Sequence, residues 1–214
     1  NPFALLCGVV ATSMISFHGA NYLILRTDGD VQARSRKAAL GFGTLAILAF
    51  AAGGLWVANG INGYVITAGA LPDALPNPLA KTVVVGTGAW FHNFDEQPLL
   101  WLVPGLGFAG AIVGLIAAAA KKGGIAFVGS AISILGIIGT AGVSMFPFLM
   151  PSSSDPRSSL TVWDATSSHF TLGLMFVCTL IFLPLIVLYT SWAYKVMRGK
   201  VTAEYIDANT KSLY

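Results

Sequence analysis

Five apolar runs without a single Asp, Glu, Lys or Arg decide what this chain can fold into. They cover residues 3–25, 38–58, 99–120, 125–150 and 169–194 of a 214-residue sequence. Each is long enough to cross a bilayer, which takes roughly 20 residues of helix. In hydrocarbon every backbone amide needs an internal partner, so runs of this kind become helices packed side by side. Charged residues make up only 10% of the chain and the mean hydropathy is +0.74, too few charges to coat a water-soluble globule. The expectation is an all-α integral membrane protein, a single domain of about five transmembrane helices over residues 1–214.

The basic residues set an orientation. Arg26, Arg34, Arg36 and Lys37 lie between the first two runs, Lys121 and Lys122 between the third and fourth. Lys195, Arg198, Lys200 and Lys211 follow the fifth, which leaves Lys81 and Arg157 on the other side. Positive residues favour the cytoplasmic side, so the amino end is expected outside and the carboxyl tail in the cytoplasm. A net charge of +3 explained by topology gives no reason to expect a nucleic-acid partner. Asn1 begins the sequence directly before an apolar run, with no signal-peptide pattern, and the chain reads as part of something longer.

The connection 59–98 is rich in turn formers, among them Gly60, Gly63, Gly69, Pro72, Pro76 and Pro78. Its second half, 81–94, carries valines followed by Trp90, Phe91 and Phe94, and reads as an amphipathic or interfacial segment on the outer leaflet. Small residues should bring helices together: Gly110 and Gly114 in the third run, and Gly129, Ser133, Gly136, Gly139 and Gly142 in the fourth. With kinks at Pro104, Pro147 and Pro184, the result should be a close-packed helical bundle.

The runs offer little chemistry of their own. Pumps and transporters normally keep an ionisable group within the membrane, and here the polar candidates are His18, Asn21 and scattered hydroxyls. His18 admits a sharp reading, a haem or quinone contact, and a plain one, a hydrogen-bonded interhelical histidine; the residues favour the second. His92 with Asn93, Asp95 and Glu96 matches no metal-ligand spacing and reads as a solvated interfacial turn. Cys7 and Cys178 form no CxxC pair and read as small apolar side chains.

The least generic stretch is the connection from Met145 to His169. Pro147 and Pro151 close the fourth run, and Ser152 to Ser154 supply turn chemistry. Trp163, Asp164, Thr166, Ser167 and Ser168 lead into the fifth run, where Asp164 can serve as helix cap. The apolar approach of Phe146, Phe148, Leu149 and Met150 is more than a turn requires and looks like a docking surface.

Met145–Ser153 with Leu160–Ser168 resembles subunit II of the cytochrome bd-type quinol oxidases. So do Asn1–Phe3, Gly8–Val10, Gly54–Val57, Gly60–Val65 and the closing Lys211–Tyr214, in order along the chain. The resemblance implies the last five helices of a nine-helix subunit in a bacterial inner-membrane complex. That complex oxidises quinol at the outer face and reduces dioxygen to water. It further implies that b- and d-type haems sit on subunit I, and that subunit II is a haem-free, non-catalytic structural partner able in some members to hold a quinone. Small accessory membrane subunits and membrane lipid are the other implied partners. The sequence departs from the family at Asn62, where Asp is expected, and at His18 and His92, where no histidine is. Two other readings fit the residues: a transporter or channel half, and a self-contained b-type cytochrome built on His18.

Overall fold

A computed structural model describes residues 1–69 and 77–208. The expected turn residues Pro72 and Pro76, and the tail motif from Lys211 to Tyr214, lie outside the described residues. The first helix, α1 (Pro2–Arg26), starts where Asn1 accepts the Phe3 amide through its side chain and Pro2 occupies the first turn. Proline fits there because that amide has no helical partner. After Thr27 and Asp28 the chain reverses at Gly29, whose φ of +63° is the left-handed geometry glycine adopts without penalty.

The second helix, α2 (Gly29–Gly60), has 32 residues, about 48 Å at 1.5 Å per residue. That exceeds an apolar thickness of about 30 Å. Hydropathy therefore marked only its membrane portion, 38–58. Gln32, Arg34, Arg36 and Lys37 continue the helix toward water because no proline or glycine between Asp30 and Lys37 breaks it. Next come strands β1 (Asn62–Ala68) and β2 (Thr82–Thr87), the short helix α3 (His92–Glu96), and two long helices, α4 (Leu102–Ala119) and α5 (Gly123–Met145). The chain closes with β3 (Phe148–Met150), β4 (Leu160–Thr161), α6 (His169–Val196) and the short α7 (Ala203–Ala208). Among the described residues, five helical stretches are long and apolar enough to cross a membrane, as the all-α reading requires.

Four of them close into a ring in which α1 packs on α2, α2 on α4, α4 on α5 and α5 back on α1. Small residues permit the close approaches. A side chain added at Gly110 would meet the Ser133 amide at 2.5 Å, one at Gly129 the Gly114 amide at 2.8 Å, and one at Gly136 the backbone of Gly107. Gly142, expected in the same seam, faces open space, and Gly139 meets only Val103. Phe17 fills the centre, fully buried against Gly43 of α2 and Gly114 of α4, with Ala20, Ile24, Ala39, Ala111, Ala117, Ala118 and Ala126 around it.

Two expectations change. The first half of the 81–94 segment is a strand, Thr82–Thr87, not an amphipathic stretch lying alone, and Trp90, Phe91 and Phe94 follow in short helical turns. β1 and β2 pair antiparallel, with Tyr64 opposite Val85 and Ile66 opposite Val83 and a bulge before Ala68, because both carry β-branched and aromatic residues suited to a pleated surface. Nor do all five spans form one close-packed bundle. Along α6 no residue is buried, and its described contacts with the ring gather at its carboxyl end. There Tyr194 meets Tyr22 edge-on at 6.3 Å, and Val201 donates its amide to the Arg26 carbonyl at 2.8 Å. Lys200 pairs with Asp28 at 3.0 Å in the same region.

Candidate functional site

The connection from α5 to α6 folds into a small cap at the hairpin end of the ring. The Pro147 carbonyl accepts the Val162 amide at 3.0 Å, and β3 pairs with β4 through Phe148 opposite Thr161 and Met150 opposite Leu160. Between the strands, the buried Ser159 hydroxyl accepts the Ser152 amide at 2.9 Å, and the Ser152 hydroxyl accepts that of Asp155. Asp155 in turn receives the Arg157 amide at 3.0 Å and the Arg157 side chain at 3.4 Å. The Arg157 backbone and guanidinium donors hold the Asp155 carboxyl below its ordinary value.

Asp164 is the pivot of this cap. One carboxylate oxygen accepts the Thr161 amide at 2.6 Å and the other the Lys81 ammonium at 2.7 Å. The two side chains are 9% and 1% exposed, so this is a buried ion pair joining the residue before β2 to the loop before α6. Burial alone would push the Asp164 carboxyl up, but the bonds from Lys81 and Thr161 outweigh it and the net shift is downward. The expectation that Asp164 caps the fifth span is therefore corrected. Ser168 is the cap, its hydroxyl accepting the Thr171 amide at 3.4 Å, and the Asp164 carboxylate is drawn away by a stronger, charged donor.

The other sequence-marked residues divide between the cap and its surroundings. Trp163 packs edge-on against Phe146 at 5.8 Å, and Pro147 begins the β3–β4 pairing. Pro151 lies in the turn, while the exposed Ser167 precedes the cap residue. Asn62 accepts the Thr87 hydroxyl across the hairpin at 3.2 Å. His18 stands apart on α1. Its Nδ1 lies 2.8 Å from the Ser130 hydroxyl and its ring stacks on Phe127 at 4.5 Å, as expected for an interhelical histidine.

Sequence reasoning missed Lys81 and Asn93. Lys81 counted only as one of two basic residues on its side, and 83 positions separate it from Asp164. Asn93 donates its amide to the Val143 and Phe146 carbonyls at 2.8 and 2.6 Å, which ties α3 to the end of α5. Under the hairpin these elements border a half-open cavity of about 270 Å³, lined by Tyr64, Phe146, Phe148 and Trp163 among others, with His92 and Glu96 also beside it. His92 Nε2 and the Glu96 carboxylate are 3.2 Å apart. Among the described residues, no three His, Cys, Asp or Glu side chains gather as a metal centre.

The arrangement is one of interlocked loops on a helical ring whose apolar runs carry no Asp, Glu, Lys or Arg, and known proteins share its sequence. The model of the family described as cytochrome bd terminal oxidase subunit II matches residues 1–197. The Escherichia coli K12 protein named cytochrome bd-I ubiquinol oxidase subunit 2 is 45% identical over all 214 residues. A Haemophilus influenzae protein named probable cytochrome oxidase subunit 2 is 44% identical over the same length. A Bacillus subtilis cytochrome bd ubiquinol oxidase subunit 2 is 27% identical over 94% of this chain. The chain spans 56% of the length of the first two relatives and 51% of the third. It belongs to the cytochrome bd terminal oxidase subunit II family.

Proposed function

We propose that this chain forms part of the haem-free structural subunit of a respiratory oxidase that couples quinol oxidation to the reduction of dioxygen to water. The observation that carries the reading is the unbroken 45% identity to a protein named as a ubiquinol oxidase subunit. The ring fits a supporting role, because none of its four spans places an ionisable carboxylate or ammonium in the membrane. The residues do not fit a haem of their own. Axial ligation needs an available imidazole, whereas His18 is engaged with Ser130 and covered on one ring face by Phe127. His92 and His169 sit at the opposite end of the spans.

On this reading the b- and d-type haems belong to subunit I, and the Asp164 cap is structural. The ring stands in a bacterial inner membrane with its hairpin end outside, as the distribution of basic residues indicates. The bare faces of α6 pack on the rest of the subunit and its partner. Spectra of the chain expressed with and without subunit I test the reading. Haem absorption is expected only when subunit I is present; a haem band from this chain alone would refute it.

A further inference from the structure

Four residues lining the cavity under the hairpin, Tyr64, Phe146, Phe148 and Trp163, are aromatic and stand beside aliphatic and neutral polar ones, and aromatic faces are negative at the centre of the ring. The side chain of Glu96 stands on the rim, 63% exposed, with carboxylate lone pairs beyond those that His92 engages. The cavity also adjoins the carboxyl end of α5, the negative end of that helix, and among the described residues no lysine or arginine lines it. Aromatic faces, a carboxylate and a helix carboxyl terminus all favour the same guest, a small organic cation.

The surroundings say how that cation arrives. The cavity opens where an apolar span ends, at the level where aromatic residues of membrane proteins meet the lipid headgroups. Beside it Phe146, Leu149 and Met150 are 53%, 54% and 66% exposed, an apolar surface that the Asp164 cap does not use. Phe148, by contrast, is buried and held edge-on by Tyr64 and Trp90 at 6.0 and 5.9 Å. The wall is therefore braced from behind and the apolar apron is left bare in front.

We propose that this cavity binds the ammonium of a phosphatidylethanolamine headgroup, whose glycerol and upper acyl chains lie along Phe146, Leu149 and Met150. The primary ammonium donates to the Glu96 carboxylate and rests against the aromatic walls. Phosphatidylglycerol has no cation to offer, and the methylated ammonium of phosphatidylcholine has no N–H to donate. The site is independent of oxidase chemistry and does not require the chain to take part in catalysis.

The test uses the membrane complex purified with this chain and reconstituted in vesicles holding a phosphatidylethanolamine with a photoreactive group next to its glycerol. Light should attach the lipid to the peptide spanning residues 145–150. Unlabelled phosphatidylethanolamine should compete, and phosphatidylglycerol should not. Glu96→Gln, an exposed change that leaves the fold intact, should cut the labelling roughly two- to fivefold, the scale of a lost solvent-exposed ion pair. Equal labelling in Glu96→Gln of unchanged thermal stability, or equal competition by phosphatidylglycerol, overturns the proposal. If free ethanolamine displaces the label as well as the lipid does, the cavity is a soluble-amine site and the lipid assignment is wrong.

Discussion

Lys81 and Asp164 are the pair through which single substitutions should speak loudest. Removing one partner of a buried ion pair strands the other charge and typically costs about 3–5 kcal/mol. Asp164→Asn and Lys81→Met should each lower the melting temperature of the detergent-solubilised complex sharply. The double variant Lys81→Met with Asp164→Leu should recover part of the loss, since an apolar pair leaves no buried charge but strands the buried Thr161 amide that Asp164 accepts. The acid side has a defined sign. Because the folded-state Asp164 carboxyl is held below its ordinary value, its contribution is complete above the ordinary aspartate range and fades as pH falls through the lowered value. Melting curves should therefore be flat in this respect through neutral pH and weaken only in strong acid. The importance of Asp164 was legible in the sequence, since an acid beside an apolar span must be satisfied somehow. Its partner was not, because an ion pair across 83 positions leaves no local pattern and the nearer helix start offered a cheaper explanation.

Among the elements, the α4–α5 seam was legible and the hairpins were not. Spacings of small residues report directly on close helix approach, and Gly110, Gly114, Gly129 and Gly136 all lie in contact. Gly142 shows the limit of that argument: composition cannot say where two crossing helices part company. Gly136→Leu, whose side chain would collide with the Gly107 backbone, should reduce the yield of folded protein and destabilise it by about 1–3 kcal/mol or more. Gly124→Leu in the same helix meets nothing within 4 Å and should leave yield and melting unchanged. The β1–β2 hairpin escaped the sequence reading because a valine run beside aromatics suits a membrane interface as well as a strand. Only the presence of a β-forming partner at 62–68 decides between them, and turn-rich sequence separates the two.

At the scale of the whole molecule, the number and approximate position of the spans follow from hydropathy, while their ends and arrangement do not: α2 starts at Gly29, well before its apolar run, and α5 stops at Met145, so that the close of the fourth run becomes β3. Four spans close on themselves and the fifth stands free; it is the most apolar of the five and holds a single glycine, Gly173, so it lacks the small-residue surface that joins α4 to α5. That difference should be measurable at Cys178, exposed in the middle of α6. A lipid-soluble carbene photoprobe, which needs no thiolate, should label the residues around it readily in this chain alone, and at least about tenfold less once the full subunit and its partner cover the helix, with mass spectrometry of the α6 peptide as readout. Equal labelling in both states would mean that α6 faces lipid in the assembly too. The helix is nevertheless not adrift. The Lys81–Asp164 pair fixes the loop that leads into it, and the Val201, Lys200 and Tyr194 contacts fix its far end to the α1–α2 turn. A rod moored at both ends keeps its place before anything packs beside it. Whatever fills the space between α6 and the ring then meets a berth of set width, and much of the entropy of assembling that interface is already lost within this chain.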